Sequence, residues 1–590
     1  MKSKTIPIFY ACDGNFVKYT MVSLASMIQN ASKDRFYHIH ILHTDIPEEM
    51  KSKMLSMKNE NFEITFENVM SYLELITDKL PIRHYYTKTT YYRLFIADMF
   101  PSYDKAIYID SDTVVLGDIS KLYDTDLSDN LVGACHEQVM KQIEVYGRYV
   151  EEVVDISRNC FFNAGLLLIN SALWREKELL SKFSALLSEY NFIVTQDEDY
   201  LNVLCKDRVL WLDGRWNTEL TEGIEHPYSP DDAFVIHYIM TNKPWHYKDC
   251  LGSDIFLLYI DKTPVKDEII DELNRYTDEQ RECDRLSAEN LKDMAISEIN
   301  KEDSFKKILD KKRDPERLAI IKKIEKLERE GKFDVDAEDD PPSRELLPHE
   351  VDYLGVKLTS KLKTAVAYSR AKKFLKHILK EKLLIIKEIK GLENLRDIEG
   401  GAVITCNHFN PFDSFAMHEA FLRSGQAKKK KLYRVIREGN YTSFPGFYGF
   451  LMRNFYTLPL SSNKETLRNF SKATDKLLRD GNFVLVYPEQ SLWYNYRKPK
   501  PLKNGAFGIA TRSDVPIIPC FITMRNSDII GADGFPIQEY TINIEKPIYP
   551  DKTVTRGVGI ANMMAENERV WKMIYEREYG MEPIYATENK

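Results

Sequence analysis

The chain has 590 residues, which is too long for one hydrophobic core and indicates several domains. Hydrophobic residues make up 43% of it and aromatic residues 12%, so most of the chain is expected to fold into packed domains. The formal net charge of -8 gives no overall basic field, which argues against nucleic acid as the main partner.

The first part of the chain alternates between strand-like and helical patterns as far as about Asp261. The predicted strands are IPIFYA, HIHILHT, KAIYID and AGLLLIN, and the predicted helices include MVSLASMIQN and SALWREKELLSKFSALLSEY. This alternation favours an α/β domain with a mostly parallel sheet and helices on both faces, which we assign to residues 1–262.

The middle of the chain has a different composition. Residues 263–333 are rich in charge and prone to helix, and the acidic, proline-containing DVDAEDDPPS follows them. We expect residues 263–344 to form a helical spacer with a flexible acidic end. A second α/β domain is predicted over residues 345–590, with strands LLIIKEI, AVITCN, FVLVYP and VPIIPCFI and helices such as TLRNFSKATDKLLRD.

Cysteine usage and apolar runs bear on the cellular compartment. The eight cysteines are scattered and include no C-x-x-C pair, which is typical of a protein in the reducing cytoplasm. The apolar run near Met1 is too short for a signal peptide, and no stretch approaches the ~20 apolar residues that span a bilayer. We therefore expect a cytoplasmic protein that would meet lipids peripherally, on the inner face of the membrane.

Two carboxylates follow a predicted strand in KAIYIDSDTVVL. Asp110 and Asp112 lie two residues apart at the carboxyl edge of the sheet, where open α/β sheets bind ligands. Paired carboxylates suit Mn²⁺ or Mg²⁺, and the ion in turn can hold a diphosphate. The spacing by itself carries little weight. Asp124 and Asp126 have the same spacing with no strand before them, and such a pair is typical of a solvated turn.

The surrounding motifs give this pair a context. YACDGNF, TTYYRLF, FFNAGLLLINSALWR, QDEDYLN and HYIMTNKPW accompany it in order, and the set resembles glycosyltransferase family 8 over about residues 5–255. The resemblance implies a retaining enzyme with a Rossmann-like, glycosyltransferase-A fold, a UDP-sugar donor and Mn²⁺. The metal ligands that it implies are Asp110, Asp112 and His237. The donor contacts that it implies are Asp13 and Asn15 for the nucleoside, Lys243 for the diphosphate, and Arg93, Asn163 and Asp197 for the sugar.

One position departs from the family pattern. Where the family often reads D-Q-D, this chain has Glu198 after Asp197. A carboxylate near the anomeric carbon can act as a nucleophile or stabilise an oxocarbenium-like centre. The alternative is a change in acceptor contacts without a catalytic role.

A histidine follows a strand-like run in AVITCNHFNPFDSF, in the second domain. His408 lies in a loop and Asp413 follows five positions later, so the carboxylate can orient the imidazole as a general base. The spacing alone proves little, since His40 and Asp45 repeat it. VYPEQS, KNGAFGIA and VPIIP follow, however, and the ordered set resembles the lysophospholipid acyltransferase family, of the 1-acylglycerol-3-phosphate type, over about residues 383–550.

This second resemblance implies acyl transfer from acyl-coenzyme A or acyl carrier protein to a lipid hydroxyl. It makes His408 the general base, Asp413 its orienting partner and Glu489 an acceptor-binding residue. The family usually has an arginine for the acceptor phosphate where this chain has Leu460 and Ser461. Either Arg453 or Arg437 is a possible substitute, and the acceptor is then open to a lysoglycolipid or another polyol lipid in place of lysophosphatidic acid.

A basic amphipathic helix is predicted over residues 353–382. Phe374, Leu375, Ile378 and Leu379 fall on one face, and Lys372, Lys373, Lys376 and Lys380 fall on others. Such a helix can lie in an anionic membrane interface, and a helix that packs against its own domain is the alternative.

The sequence as a whole predicts a bifunctional transferase of two α/β domains joined by a helical spacer. One domain would transfer a hexose and the other an acyl group, with a nucleotide sugar, an acyl thioester, a lipid acceptor and a membrane surface as partners. Two alternatives remain open at this point: one domain is active and the other positions it, or the chain is a catalytically silent scaffold at the membrane.

Overall fold

The computed structural model describes residues 5–74, 88–339 and 343–589 of the chain. It contains two compact units whose boundary in the sequence lies between Lys311 and Lys312. Both units are α/β structures, as predicted.

The segment predicted to be a spacer, residues 263–344, is divided between the two units. Ala295 and Phe305 are buried in a core of the first unit, and Ile324 belongs to a buried cluster with Trp493 in the second. Because its helices bury apolar side chains in this way, the charge-rich segment forms part of each core.

The first unit is built on a twisted sheet with a small second sheet beside it. Its strands are β1 Ile6–Ala11, β2 Tyr37–His43, β3 Phe62–Asn68, β4 Ala106–Ile109, β5 Thr113–Val115, β6 Val132–Ala134, β7 Leu166–Ile169, β8 Val209–Trp211, β9 Thr218–Glu219 and β10 Val235–His237. The order of the larger sheet is β3-β2-β1-β4-β7-β6-β8, in which β7 runs antiparallel to both neighbours and the other pairs are parallel. The smaller sheet has the order β5-β10-β9.

Helices cover both faces of the larger sheet, because its central strands are apolar on both sides; β1, with the sequence IPIFYA, is buried along its whole length. The α-helices of this unit are Val17–Asn30, Glu48–Leu55, Met70–Glu74, Ile96–Met99, Ile119–Asp124, Gln138–Gln142, Glu144–Tyr149, Ser171–Glu176, Leu179–Glu189, Asp197–Leu204, Ser253–Ile260, Lys266–Arg275, Asp278–Asn300 and Phe305–Lys312. One prediction is wrong in detail: SALWREKELLSKFSALLSEY forms two helices, because Glu178 between them has a left-handed backbone with φ 52°.

The second unit is built on a mixed sheet of seven described strands. Its strands are β11 Ile385–Lys390, β12 Ala402–Thr405, β13 Leu432–Ile436, β14 Thr457–Pro459, β15 Phe483–Val486, β16 Ile517–Ile530 and β17 Pro536–Ile544. The sheet order is β11-β17-β16-β12-β15-β13-β14, and only the β16–β17 pair among these is antiparallel. The α-helices of this unit are Pro315–Arg329, Leu358–Lys380, Glu393–Arg396, Asp413–Arg423, Glu438–Thr442, Gly446–Asn454, Lys464–Arg479, Gly505–Ser513 and Arg556–Tyr579.

The predicted amphipathic segment forms the helix Leu358–Lys380. Leu375 and Ile378, on its expected apolar face, are buried in the core of the second unit, so the C-terminal half of the helix packs against its own domain. The lysines Lys372, Lys373, Lys376 and Lys380 of that half are exposed. In the N-terminal half, Leu358 and Leu362 are 82% and 70% exposed. Across the described ranges, none of the helices combines the length and the apolar character of a membrane-spanning segment.

Candidate active sites

The three predicted metal ligands come together at the carboxyl edge of the larger sheet. Asp110 follows β4, Asp112 precedes β5, and His237 ends β10, the partner of β5. Their ligand atoms all lie within 4.8 Å of one another. His237 Nε2 is 3.2 Å from Asp112 Oδ1 and 3.9 Å from Asp110 Oδ2. Two carboxylates and one imidazole are a donor set that suits Mn²⁺.

A chain of amides orients the histidine. Its Nδ1 lies 3.1 Å from Asn217 Oδ1, so a proton on Nδ1 leaves the lone pair of Nε2 for a metal. Asn217 donates to Asn163 Oδ1 at 2.9 Å, and Asn163 donates in turn to the Glu137 carboxylate. The imidazole of His237 is therefore held by buried polar groups, as metal-binding histidines usually are.

The backbone beside these ligands comes so close to them that Gly165 has no room for a side chain. A Cβ added at Gly165 would lie 2.2 Å from His237 Cε1 and 2.9 Å from Asp110 Oδ2. Glycine is therefore needed at this position for the ligand atoms to keep their places. The donor set, kept in place by this close packing, fits a bound Mn²⁺ ion.

Lys243, the predicted diphosphate contact, lies next to the same ligands. Its Nζ donates to Asp112 Oδ2 at 2.6 Å and also to the backbone oxygen of Tyr238. Burial alone would raise the pKa of Asp112, but Lys243 and His237 hold that pKa well below its usual value. The ionised form of Asp112, which is the form that binds a metal ion, is thereby favoured.

Arg93 links two acidic residues at the bottom of the site. Its Nη2 donates to Asp110 Oδ1 at 3.0 Å, and its Nε lies 3.1 Å from Asp197 Oδ2. Burial raises the pKa of Asp197 to about 6, although the charge of Arg93 opposes the rise. The pair Arg93 and Asp197 thus stands beside a metal ligand, where the family resemblance expects the donor sugar.

A cavity of about 840 Å³ opens in front of these residues. Asp110, Asp112, His237 and Lys243 line one part of it, and Asn163, Asp197 and Glu198 line another. A third part of the wall is apolar, and its residues are Val139, Met140, Ile193, Val194, Leu291 and Met294. Leu291 and Met294 belong to the helix Asp278–Asn300, so a helix of the predicted spacer forms part of the wall.

Glu198 lines the cavity from the start of the helix Asp197–Leu204. Its Oε2 accepts a hydrogen bond from Ala164 N at 2.8 Å. Burial, reinforced by the nearby charge of Glu137, raises the pKa of Glu198 well above its usual value. Its carboxyl group is thus favoured in the neutral form, which donates hydrogen bonds but is a poor nucleophile.

The two residues predicted to contact the nucleoside, Asp13 and Asn15, lie beside the cavity and are not among the residues that line it. Asp13 Oδ1 accepts hydrogen bonds from the backbone N–H groups of Asn15 and Phe16, both at 2.9 Å. Cys12 and Phe16 line the cavity, and Asp13 and Asn15 lie in the turn between them. The roles of Asp13 and Asn15 stay a prediction.

His408 and Asp413 form a close pair in the second unit. His408 follows β12, and Asp413 is the first residue of the helix Asp413–Arg423. His408 Nδ1 lies 2.7 Å from Asp413 Oδ2, so Nε2 is the nitrogen left to take a proton. Tyr487 completes the group: its ring stacks on His408 with centroids 4.2 Å apart, and its hydroxyl donates to Asp413 Oδ1 at 2.7 Å.

Glu489 supports the backbone around this pair. Its Oε2 accepts a hydrogen bond from His408 N at 3.0 Å, and its Oε1 accepts one from Lys500 N at 2.9 Å. Lys500 Nζ is 3.6 Å from Glu489 Oε2, and both side chains are buried. Burial raises the pKa of Glu489 despite the opposing charge of Lys500. Glu489 thus holds the backbone of the loop that carries His408. The family resemblance implies acceptor binding for Glu489 and does not predict this contact.

The arginines considered for an acceptor phosphate are both engaged by other groups. Arg453 donates to the backbone oxygens of Tyr441 and Phe444 at 3.1 and 3.0 Å. Arg437 pairs with Asp336.

Several residues of the two sites carry no strong sequence signal. Tyr487 lies within the VYPEQS motif and could have been noticed by that position, and Lys500 is 9 positions from its partner Ser491. Asn217 and Glu137 reach their partners across 20 and 26 positions. A side chain that acts through another one is found only when the fold is known.

Comparisons with known proteins agree with both resemblances. A family model described as "Glycosyl transferase family 8" matches residues 7–249, and one described as "Acyltransferase" matches residues 387–523. The "Lipopolysaccharide 1,3-galactosyltransferase" of Salmonella typhimurium is 28% identical over 251 residues, covering 40% of this chain and 72% of that protein. "General stress protein A" of Bacillus subtilis is 24% identical over 267 residues, covering 42% of this chain and 89% of its own.

The solved structures that resemble this chain include the galactosyltransferase LgtC in complex with donor and acceptor sugar analogs. It is 26% identical, covers 44% of this chain and 96% of its own, and has a TM-score of 0.37. The two family matches fall in different units of the structure. The chain is therefore an enzyme that combines a glycosyltransferase family 8 domain with an acyltransferase domain.

Proposed function

We propose that the chain transfers a hexose from a UDP-sugar with retention, and an acyl group from acyl-coenzyme A or acyl carrier protein to a lipid hydroxyl. The observation that carries this proposal is that each unit holds its own set of reactive side chains. Asp110, Asp112 and His237 meet in the first unit, and His408 and Asp413 meet in the second.

In the first unit, Asp110, Asp112 and His237 would hold Mn²⁺. When bound, the ion supplies positive charge that stabilises the diphosphate leaving group. Lys243 stands beside Asp112 and adds a second positive charge for the same diphosphate. Arg93 fixes Asp197 next to this point, where we propose that Asp197 contacts the donor sugar.

The apolar wall of the cavity bears on the sugar acceptor. Met140, Leu291 and Met294 contribute to it alongside the polar donor-binding residues. An acceptor with an apolar part would bury that part against these side chains, at about 25 cal/mol per Å² of apolar surface. We therefore propose a lipid or lipid-linked acceptor for the hexose.

We propose that Glu198 is a hydrogen-bonding residue of the sugar pocket and not the nucleophile, since its high pKa favours the neutral acid. Glu198→Gln should then keep donor turnover within about tenfold of wild type, because the amide can still accept the hydrogen bond from Ala164 N–H. Asp197→Asn should cost about 10²-fold or more, because Arg93 loses a charged partner at the sugar. UDP release measures both rates.

The opposite assignment for Glu198 has its own signature. If Glu198 is the nucleophile, Glu198→Gln is inactive while it melts like wild type. A glycosyl adduct on the peptide that contains Glu198 would then appear by mass spectrometry during turnover.

In the second unit, His408 Nε2 would take the proton of the acceptor hydroxyl as its oxygen attacks the acyl carbon. The C–O ester bond forms, the C–S thioester bond breaks, and the imidazolium returns the proton to the departing thiolate. Asp413, bound to Nδ1, stabilises the imidazolium in between, and the hydrogen bond from Tyr487 fixes the position of Asp413.

We propose that the protein meets the inner face of the membrane peripherally, through the N-terminal half of the helix Leu358–Lys380. Leu358 and Leu362 are exposed there one helical turn apart, and Lys361 and Lys363 flank them. Exposed leucines beside lysines are the combination that enters an anionic interface.

Replacing Leu358 and Leu362 together by Gln should weaken binding to anionic vesicles by about tenfold or more, since burial of a leucine contributes about 1.5–3 kcal/mol. Reversing Lys372, Lys373, Lys376 and Lys380 to Glu should release the protein at moderate salt, where the Debye length is about 8–10 Å. Vesicle sedimentation measures both. Leu467→Gln, an equally polar change at an exposed leucine of another helix, is the control. If both sets of variants bind vesicles as well as wild type does, the helix has only a packing role.

The direct test of the proposed function uses the purified full chain. It should release UDP from a UDP-hexose in the presence of Mn²⁺, and free thiol from an acyl thioester in the presence of a lipid acceptor. Lipids from cells that express the chain should include a species with both a hexose mass and an acyl mass. Release from one donor only would support the alternative in which the other domain positions the active one. Release from neither would favour the scaffold.

A further inference from the structure

Residues 333–336 lie against the loop that follows β15 in the second unit. Trp493 Nε1 donates to the backbone oxygen of Val335 at 2.8 Å. Leu492 N donates to Asp336 Oδ1 at 3.2 Å. The 333–336 segment is therefore attached to this loop by both main-chain and side-chain hydrogen bonds.

The same loop holds the proposed general base. Trp493 N donates to the backbone oxygen of His408 at 3.3 Å. His408 N donates to Glu489, four residues earlier in the loop, at 3.0 Å. The 333–336 segment, which is hydrogen-bonded to this loop, therefore lies close to His408.

Arg437 stands at the same edge of the sheet. It follows β13, which pairs in parallel with β15, and β15 pairs in parallel with β12, the strand before His408. The carboxyl ends of adjacent parallel strands meet at one edge, which is where α/β sheets bind their ligands. Arg437 is therefore well placed to receive an anionic group of the acceptor.

Asp336 occupies the guanidinium of Arg437. Nη2 of Arg437 donates to Asp336 Oδ1 at 3.0 Å, and Nη1 donates to Asp336 Oδ2. Nη2 also donates to the backbone oxygen of Gln490. The bidentate carboxylate of Asp336 occupies the guanidinium N–H groups that would bind a phosphate, and its negative charge repels an approaching phosphate.

The neighbouring cations are engaged as well. Arg453 donates to two backbone oxygens, and the buried Lys500 Nζ donates to the backbone and side-chain oxygens of Ser491 at 2.7 and 2.8 Å. Internal partners therefore occupy N–H donors of Arg437, Arg453 and Lys500 that a phosphate-bearing acceptor would otherwise use.

We propose that Asp336 determines the acceptor class of the acyltransferase site: it blocks Arg437 to a phosphomonoester and selects an acceptor with an uncharged polyol or sugar headgroup. This inference rests on the acyl transfer proposed above. It names the 333–336 segment, which lies outside the residues matched by the acyltransferase family model, as part of the site.

The test compares wild type with Asp336→Asn, whose amide oxygen can still accept the hydrogen bond from Leu492 N–H. Thiol release from acyl-coenzyme A is measured with lysophosphatidic acid and with a glycosyl monoacylglycerol as acceptors. The ratio of kcat/KM values should move toward the phosphate-bearing acceptor by about tenfold or more. Binding of glycerol 3-phosphate, followed by calorimetry, should appear in Asp336→Asn and disappear again when Arg437→Gln is added.

Asp334→Asn is the matched control, because Asp334 is an exposed carboxylate two residues away that pairs with Lys503 at 3.2 Å. It should change neither the ratio nor phosphate binding. A wild type that already prefers lysophosphatidic acid, or an Asp336→Asn variant with an unchanged ratio and no gain in phosphate binding, would overturn the role of Asp336. If wild type releases no thiol with any acceptor, the proposed acyl transfer fails, and the calorimetric comparison still decides whether Asp336 blocks Arg437.

Discussion

Replacing His408 by Ala is expected to reduce acyl transfer by about 10²–10⁴-fold, the usual contribution of a general base. Mn²⁺-dependent turnover of the sugar donor should stay near wild type, because the metal ligands lie in the other unit. Release of thiol and release of UDP, measured on the same preparation, check the two halves of this expectation.

A matched control for His408→Ala is available in the same chain. His226→Ala changes another partly buried histidine that is followed five positions later by an aspartate, Asp231, and it should leave thiol release unchanged. Sites that share no partners usually behave additively, so His408→Ala should also leave the melting transition of the first unit in place. Loss of both activities in a His408→Ala protein that folds would contradict two independent sites.

Replacing Asp110 and Asp112 together by Asn is expected to abolish metal binding and donor turnover while thiol release persists. Two carboxylates supply the negative charge of the ligand set, and a neutral amide is a much weaker ligand for a divalent ion. Mn²⁺ titration followed by electron paramagnetic resonance measures binding, and UDP release measures turnover. EDTA should have the same effect on wild type.

The control for this double variant is the second aspartate pair of the first unit. Asp124 is ion-paired with Arg35 at the surface, and Asp126 is an exposed residue of a turn. Changing Asp124 and Asp126 to Asn should leave Mn²⁺ binding intact, since these carboxylates have the D-x-D spacing without the histidine. Full turnover of the donor in EDTA would show that the metal assignment is wrong.

Much of the fold could be predicted from the sequence because its signals are local. Runs such as IPIFYA and AVIT are short and apolar, and each forms a buried strand where it was expected. The single helix predicted over residues 171–190 failed, since patterns of apolar residues do not show that Glu178 turns left-handed. The ordered motifs around them, and not their spacing, singled out Asp110, Asp112, His408 and Asp413, because other pairs in the chain repeat both spacings.

The sequence by itself thus determined the two α/β domains and the families of both, and it singled out the residues that we propose for the centre of each site. Only the tertiary structure decided what surrounds those residues. Asp336 meets Arg437 across 101 positions, and the apolar face that includes Leu375 turns to its own core and not to a lipid surface. Leu291, in a segment that reads as a spacer, lines the donor cavity. The physical reason is that side chains of different elements meet only after the sheets and helices pack, and no local pattern of apolar and charged residues records that packing.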